Sequence, residues 1–266
     1  MKNILFIGAG NMASAIAGGI INSKIAASEN IILFDKIQEQ YKKFNSSCRT
    51  AATLCEGIEN ADYIFISVKP QNAKDILSEI KNLDYLGKVF ISICAGITIS
   101  SIESYLPNAK IIRTMPNTPL MLGMGVTGIC KNDNVTDEEF EFAKAIFSSS
   151  GMVSEIQEND INNLTAITSS SPAYFYLFVK GMLDGAKMLG FDNSATVEMI
   201  CQTMIGSANM ILTSDKSIDD LITMVKSPNG TTERALNVFN DNNITDTIFK
   251  AMKACADRAE ELSKIN

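Results

Sequence analysis

Residues 4–13 read Ile4-Leu5-Phe6-Ile7-Gly8-Ala9-Gly10-Asn11-Met12-Ala13, and their reading decides the fold. A short apolar run ends in glycines, and residues 12–22 continue with helical spacing. A run this short and unbroken is how a strand buried on both faces of a parallel sheet looks. The glycines follow the pattern G-x-G-x-x-A. Gly8 permits the tight turn, Gly10 lets the backbone come close to a pyrophosphate, and Ala13 keeps the helix near the sheet. The amides and dipole at the start of the helix favour an anion. Strand, turn and helix together predict a dinucleotide site at residue 8.

Similar runs recur at 31–34, 63–68, 89–93 and 110–114, each rich in β-branched or aromatic residues. Helical segments at 72–83 and 100–106 lie among them. Runs at 126–130 and 152–156 would extend the sheet, with an acidic helix at 137–147 between them. Thr136 is a natural N-cap there, and Glu139 completes a capping box. This alternation predicts an α/β fold, a Rossmann-type doubly wound sheet, over residues 1–158. From 159 to 266 strand-like runs vanish. Val197, Cys201, Met204, Ala208 and Ile211 form one apolar helical stripe, and further helices are expected at 231–239 and 245–263. Helices rich in Met and short of aromatics make a thin core alone. An all-α C-terminal domain that packs against another subunit is therefore expected.

Composition narrows the function. Among 266 residues, Lys plus Arg number 23 against 30 Asp plus Glu, a formal charge of −7. That balance argues against nucleic acid or an anionic membrane as the main partner and leaves a small-molecule substrate. Histidine is absent, which removes His-based triads, His-ligated metals and His acid–base dehydrogenases. Cys48, Cys55, Cys94, Cys130, Cys201 and Cys255 show no CxxC spacing. No metal site is expected, and the thiols read as reduced core residues of a cytoplasmic protein. The amino-terminal apolar run is broken at Gly8, Gly10 and Asn11, too early for a secretory leader. No apolar stretch reaches the ~18 residues of a membrane span.

Several strand ends carry unusual strings. Asp35 ends the second run, where a carboxylate bonds the adenosine ribose hydroxyls and leans the cofactor toward NADH. Lys36 pulls the other way, since it could neutralise the 2′-phosphate of NADPH. Val68-Lys69-Pro70-Gln71, Cys94-Ala95-Gly96 and the 113–119 string (Arg113 to Pro119) end the next three runs. Small residues at 94–96 are expected to leave room for a ribose or nicotinamide, in the crevice where open α/β sheets bind ligands. In the helical half, the strings at 168–174 and 227–232 place hydroxyls before helix starts. Such a Gly/Thr turn can hold a carboxylate on its amides or can serve as an ordinary cap.

Together the strings GAGNMA at residue 8, VKPQ at 68, RTMPNTP at 113, SSSPAY at 169, DGAKMLGF at 184 and VKSPNGTTERAL at 225 resemble the pyrroline-5-carboxylate reductase family nearly end to end. The resemblance implies a Rossmann domain, an interlocking helical dimerisation domain, and a homodimer or a higher assembly such as a decamer. It implies reduction of the cyclic imine 1-pyrroline-5-carboxylate to L-proline with NADPH or NADH. It places Gly8, Ala9, Gly10, Asn11, Met12, Ala13, Val68, Lys69, Pro70, Ala95 and Asn117 at the cofactor, beside the Asp35 and Lys36 read above. It places Gly230, Thr231 and Thr232 on the substrate carboxylate, with the Thr232 hydroxyl near the ring nitrogen as the catalytic contact and Ser170 lining the pocket. Two positions depart from the family pattern, Ser169 and Asn229, where glycine is usual. Asparagine tolerates positive φ best among the other residues, so Asn229 need not deform its turn. A protonated cyclic imine accepts hydride without a strong enzyme acid, which fits the missing histidines. Two other readings compete. One is a 3-hydroxyacid-type dehydrogenase, with Lys180 in roughly the place of its catalytic lysine; the other is a non-catalytic NAD(P)-binding protein.

Overall fold

The structure, a computed structural model, describes residues 2–265, with side chains through residue 263. The decisive run is strand β1 (Ile4–Ile7), buried at every position. Strands β2 (Ile31–Phe34), β3 (Arg49–Thr50), β4 (Tyr63–Ile66), β5 (Val89–Ser92), β6 (Lys110–Pro116), β7 (Gly125–Lys131) and β8 (Gly151–Glu155) complete the sheet. Its order is β3-β2-β1-β4-β5-β6-β7-β8. Every neighbouring pair is parallel except β6–β7. The connection at 117–124 is too short for a helical crossover, so those two strands must run antiparallel.

Because side chains alternate along a strand, each buried strand feeds two cores. Leu5, Ile7, Ile64, Ile66 and Phe90 point to one face. There they meet Ile58 of α2 (Leu54–Glu59), Ile76 of α3 (Ala73–Ile80) and Ile102 of α4 (Ile99–Tyr105). Ile4, Phe6, Tyr63, Phe65 and Ile91 point to the other face. That core includes Ile16 and Ile20 of α1 (Asn11–Asn22) and Phe140 and Phe147 of α5 (Asp137–Ser148). Phe6 and Phe65 stack across adjacent strands at 4.5 Å between ring centroids. Thr136 and Glu139 form the expected capping box at the start of α5. The sequence reading missed β3 and α2. The strand is an exposed two-residue edge and the helix has only six residues, so neither is long enough for its pattern to repeat recognisably.

Beyond β8 the chain is helical. After α6 (Ile161–Leu164), a π-helical turn at Thr165–Ser169 leads into α7 (Ser171–Met188). Helices α8 (Thr196–Thr213), α9 (Ile218–Val225), α10 (Thr231–Asp241) and α11 (Ile244–Ile265) follow. Compactness divides the chain into two units. One runs to Ser170 and takes up the chain again at Ala254, and the other is Ser171–Lys253. This differs from the compositional division at 158/159, because the first helical residues and the end of α11 pack with the sheet. The second unit buries little of its apolar surface: Leu177 is 71% exposed and Leu212 81%. Its helices have the surface of elements that await a partner. Among the described residues no helix is long and apolar enough to cross a membrane.

All six cysteines are free. Only Cys94 and Cys130 are buried, so the expectation of core thiols fails for the other four, which are partly exposed. Burial pushes the Cys94 and Cys130 thiols up to about 12, which makes them poor nucleophiles.

Candidate functional site

From β1 the chain crosses to β2 on one side, while β4 lies on the other. Strand order thus reverses between β1 and β4, the place where such sheets open a crevice at their carboxyl ends. A cavity of about 630 Å³ lies there. Its walls include Gly8, Gly10, Asn11, Asp35, Lys36, Val68 and Lys69, so seven of the residues singled out in the sequence come together. Gly8 has φ +97°, and a Cβ there would stand 2.7 Å from the Ser67 carbonyl oxygen. Only glycine fits this turn. Gly10 differs: nothing lies within 4 Å of where its Cβ would be. Ala9 and Ala13 are buried, Ala13 in the core beneath the sheet face, and neither lines the cavity. Met12 is half-buried against the core. Pro70 opens the helical turn that leaves β4, the position where a missing N–H costs nothing.

Residues that the sequence reading passed over complete the walls. Ser67 N–H donates to the Ile7 carbonyl at 2.9 Å, and its hydroxyl lies within bonding distance of the Ile7 and Gly8 carbonyls, locking the glycine turn to β4. Lys43 Nζ donates to Asn11 Oδ1 at 2.6 Å, and Gln40 also lines the cavity. Nothing in a single sequence marks these side chains. Asp35 is tied inward, its carboxylate accepting from the Ala9 N–H at 2.7 Å and the Ile37 N–H at 2.8 Å. It braces the glycine loop against the end of β2.

The ends of β4 and β5 lie side by side, with Ile66 paired to Ser92, and Ser92 pairs in turn with Arg113 in the middle of β6. Ala95 is partly exposed beyond β5. The expectation that small residues at 94–96 leave space for a ligand is corrected at Gly96. With φ +74°, a Cβ there would come within 3.0 Å of the Leu262 Cβ, so its smallness admits helix α11. Arg113 is 2% exposed, and its Nη1 donates to Glu158 Oε1 at 2.9 Å. The same oxygen accepts from the Ile99 N–H at 2.7 Å. Asn117 is buried at the end of β6.

Ser170 closes the π-helical turn, its N–H donating to the Thr165 carbonyl at 2.9 Å. The Cys255 thiol donates to the Ser170 hydroxyl at 3.2 Å. Next to it, the Ser169 hydroxyl is buried without a hydrogen-bond partner. A buried, unpaired hydroxyl costs about 1–3 kcal/mol. Ser169→Ala should therefore raise the stability of the ligand-free protein by about 1 kcal/mol, read as a higher denaturant midpoint at unchanged slope. A lower midpoint would show that the hydroxyl contributes to the fold.

In the second unit the turn before α10 is built by Asn229 at φ +58°, the conformation that asparagine tolerates. Gly230 is the N-cap, without a side-chain cap bond. Thr231 and Thr232 stand inside the first turn, and neither hydroxyl acts as the cap. Glu233 Oε2 accepts from the Asn229 N–H at 2.7 Å, and Lys226 pairs with its other oxygen at 3.3 Å. The Asn229 hydrogen bond, aided by Lys226, holds the Glu233 carboxyl below its ordinary range. The contribution of this clasp is thus present above the ordinary glutamate range and is lost as pH falls through the lowered value. Lys180, by contrast, pairs with Asp184 at 2.6 Å on an exposed face of α7, as helical residues four apart commonly do.

A family model described as pyrroline-5-carboxylate reductase dimerisation matches residues 158–262, and one described as NADP oxidoreductase, coenzyme F420-dependent, matches 3–96. The chain is 35% identical to the pyrroline-5-carboxylate reductase of Vibrio alginolyticus over 269 aligned residues, covering 99% of this chain and 98% of that one. The chain belongs to the pyrroline-5-carboxylate reductase family. The family's enzyme from Escherichia coli is 34% identical, with 99% of each chain covered. A crystal structure of the Plasmodium falciparum pyrroline carboxylate reductase with NADP bound superposes with a TM-score of 0.91 at 31% identity, covering 98% of both chains. Membership makes this chain an NAD(P)H-dependent oxidoreductase with a dimerisation domain, and the readings as a 3-hydroxyacid-type dehydrogenase or a non-catalytic NAD(P)-binding protein fall away.

The residues present fit the cofactor. Gly10 leaves open the space a pyrophosphate needs, and the amides at the start of α1 supply its donors. Gln40 Oε1, buried at the cavity and without a partner, is an acceptor suited to a ligand hydroxyl or amine. Bound there, a reduced nicotinamide cofactor supplies hydride; the chain's own task is to hold and orient.

Proposed function

We propose that the chain reduces 1-pyrroline-5-carboxylate to L-proline. In this reading Gly8, Ala9, Gly10, Asn11, Met12, Ala13, Asp35, Lys36, Val68, Lys69, Pro70 and Ala95 form the cofactor site. Ser170, Gly230, Thr231 and Thr232 bind the imine. The backbone amides at 230–232 take the substrate carboxylate, as the first turn of a helix takes anions. The Thr232 hydroxyl hydrogen-bonds the ring nitrogen and orients the ring, and orientation alone can supply up to about 7–11 kcal/mol.

One observation carries the substrate assignment. Gly230 occupies the N-cap, so the threonines that follow are not needed as caps. The functional division at 158/159 is supported by the start of the dimerisation match at residue 158. Free thiols throughout support a cytoplasmic setting. A homodimer is the smallest assembly that covers the open apolar faces of the second unit, and a decamer of such dimers is compatible with it.

Thr232→Ala should lower turnover at least about tenfold, roughly 1.4 kcal/mol of transition-state stabilisation. Steady-state kinetics with synthetic imine decide it. Turnover equal to that of the unaltered enzyme would remove Thr232 from the site.

A further inference from the structure

The string RTMPNTP at 113 is far in the chain from SSSPAY at 169, yet one of its side chains reaches Thr168, the residue just before that second string. Asn117 Nδ2 donates to the Thr168 carbonyl at 3.0 Å, and Asn117 Oδ1 accepts from the Val126 N–H at 2.8 Å. The residue is only 7% exposed. Strand β7 therefore fixes one end of the amide, and the other end reaches the π-helical turn.

The reason for that reach lies in Pro172. In an α-helical pattern the N–H of residue 172 would bond the carbonyl of residue 168, and proline has no N–H to give. Thr168 is half-buried, and a carbonyl withdrawn from water without a donor is costly. Asn117 Nδ2 supplies a donor to that carbonyl. The turn is also bound internally: the Thr165 and Thr168 hydroxyls donate back to the Ile161 and Leu164 carbonyls. It ends at Ser170, and π-helical turns are frequent at functional sites.

We infer that Asn117 is a positioning residue for the imine-binding segment, its amide standing in for the N–H that Pro172 lacks. This rests on the reading of Ser170 as a substrate contact. The resemblance implies that Asn117 touches the cofactor, but its acceptor and one of its two N–H groups are committed within the protein. Its main effect is then on imine binding.

The test is a set of variants read by imine KM, kcat and cofactor Kd, the last from NADPH fluorescence titration. Asn117→Asp keeps the acceptor for Val126 but turns a second acceptor toward the Thr168 carbonyl. It should raise imine KM about tenfold or more and change cofactor Kd by less than about twofold. Pro172→Ala restores an N–H at 172 and should stay within about twofold of the unaltered enzyme. The double variant should recover most of the KM lost in Asn117→Asp, a rescue that a merely structural role does not produce. If Asn117→Asp does not fold, Asn117→Ser takes its place with the same expectations. An unchanged KM, a cofactor Kd raised as much as KM, or a double variant no better than the single one would overturn the inference. Ser170→Ala run beside them separates the two readings. An unchanged imine KM there removes the substrate assignment of the segment. A raised KM there with an unchanged one in Asn117→Asp removes only the positioning role.

Discussion

Gly10→Ala is expected to leave the fold standing and to weaken NAD(P)H binding at least about a hundredfold, ~2.8 kcal/mol. Gly10 has φ −75°, extended backbone that any residue adopts, and its Cβ would meet no atom within 4 Å. The cost to folding is confined to the loss of a favourable N-cap, about 1 kcal/mol or less. The added methyl stands in the space where the pyrophosphate must approach the amides of α1. Gly8→Ala is the contrasting case. At φ +97° and 2.7 Å from the Ser67 carbonyl oxygen, its Cβ disturbs the turn itself, and stability falls together with binding. Fluorescence titration and thermal unfolding on both variants separate the two effects. Unweakened cofactor binding by Gly10→Ala would place the pyrophosphate elsewhere.

Glu158→Ala should cost about 3–5 kcal/mol of stability, because it leaves the Arg113 guanidinium buried without its counter-charge. Arg113 is 2% exposed, and Glu158 Oε1 also holds the first amide of α4. One side chain thus ties β6, α4 and the segment that leads to the π-helical turn. Glu158→Gln keeps an acceptor for the Ile99 N–H but not the charge, and should fall between the two. Denaturant midpoints measure both. A loss below about 1 kcal/mol for the alanine variant would mean that the guanidinium finds other partners.

The parts of this molecule that were legible in its sequence are those written in local pattern. Strand β1 and its glycine turn could be read because burial on both faces demands an unbroken apolar run, and positive φ demands Gly8. The capping box at Thr136 and Glu139 was legible for the same reason: both partners sit in one turn. Asn229 was readable as a stand-in for glycine only through the family resemblance, which places glycine there, and asparagine tolerates the positive φ it adopts. What stayed hidden depends on residues distant in the chain. Glu158 read only as a domain boundary, yet its carboxylate partners Arg113 and Ile99. Gly96 read as room for a ligand, and Leu262 on the last helix fills that room. Asp35 read as a ribose contact, and its carboxylate holds the Ala9 amide. Ser67, Gln40 and Lys43 line the crevice through topology alone, with no motif to announce them.

The most direct measurement is transfer of an isotope. Cofactor deuterated at the transferring position of its nicotinamide, incubated with the enzyme and synthetic 1-pyrroline-5-carboxylate, should give proline with one deuterium at C5, the carbon that was double-bonded to nitrogen. One proline should form for each cofactor oxidised. Unlabelled proline, or oxidation of cofactor without proline, would contradict direct hydride delivery to a ring held by the Thr232 segment.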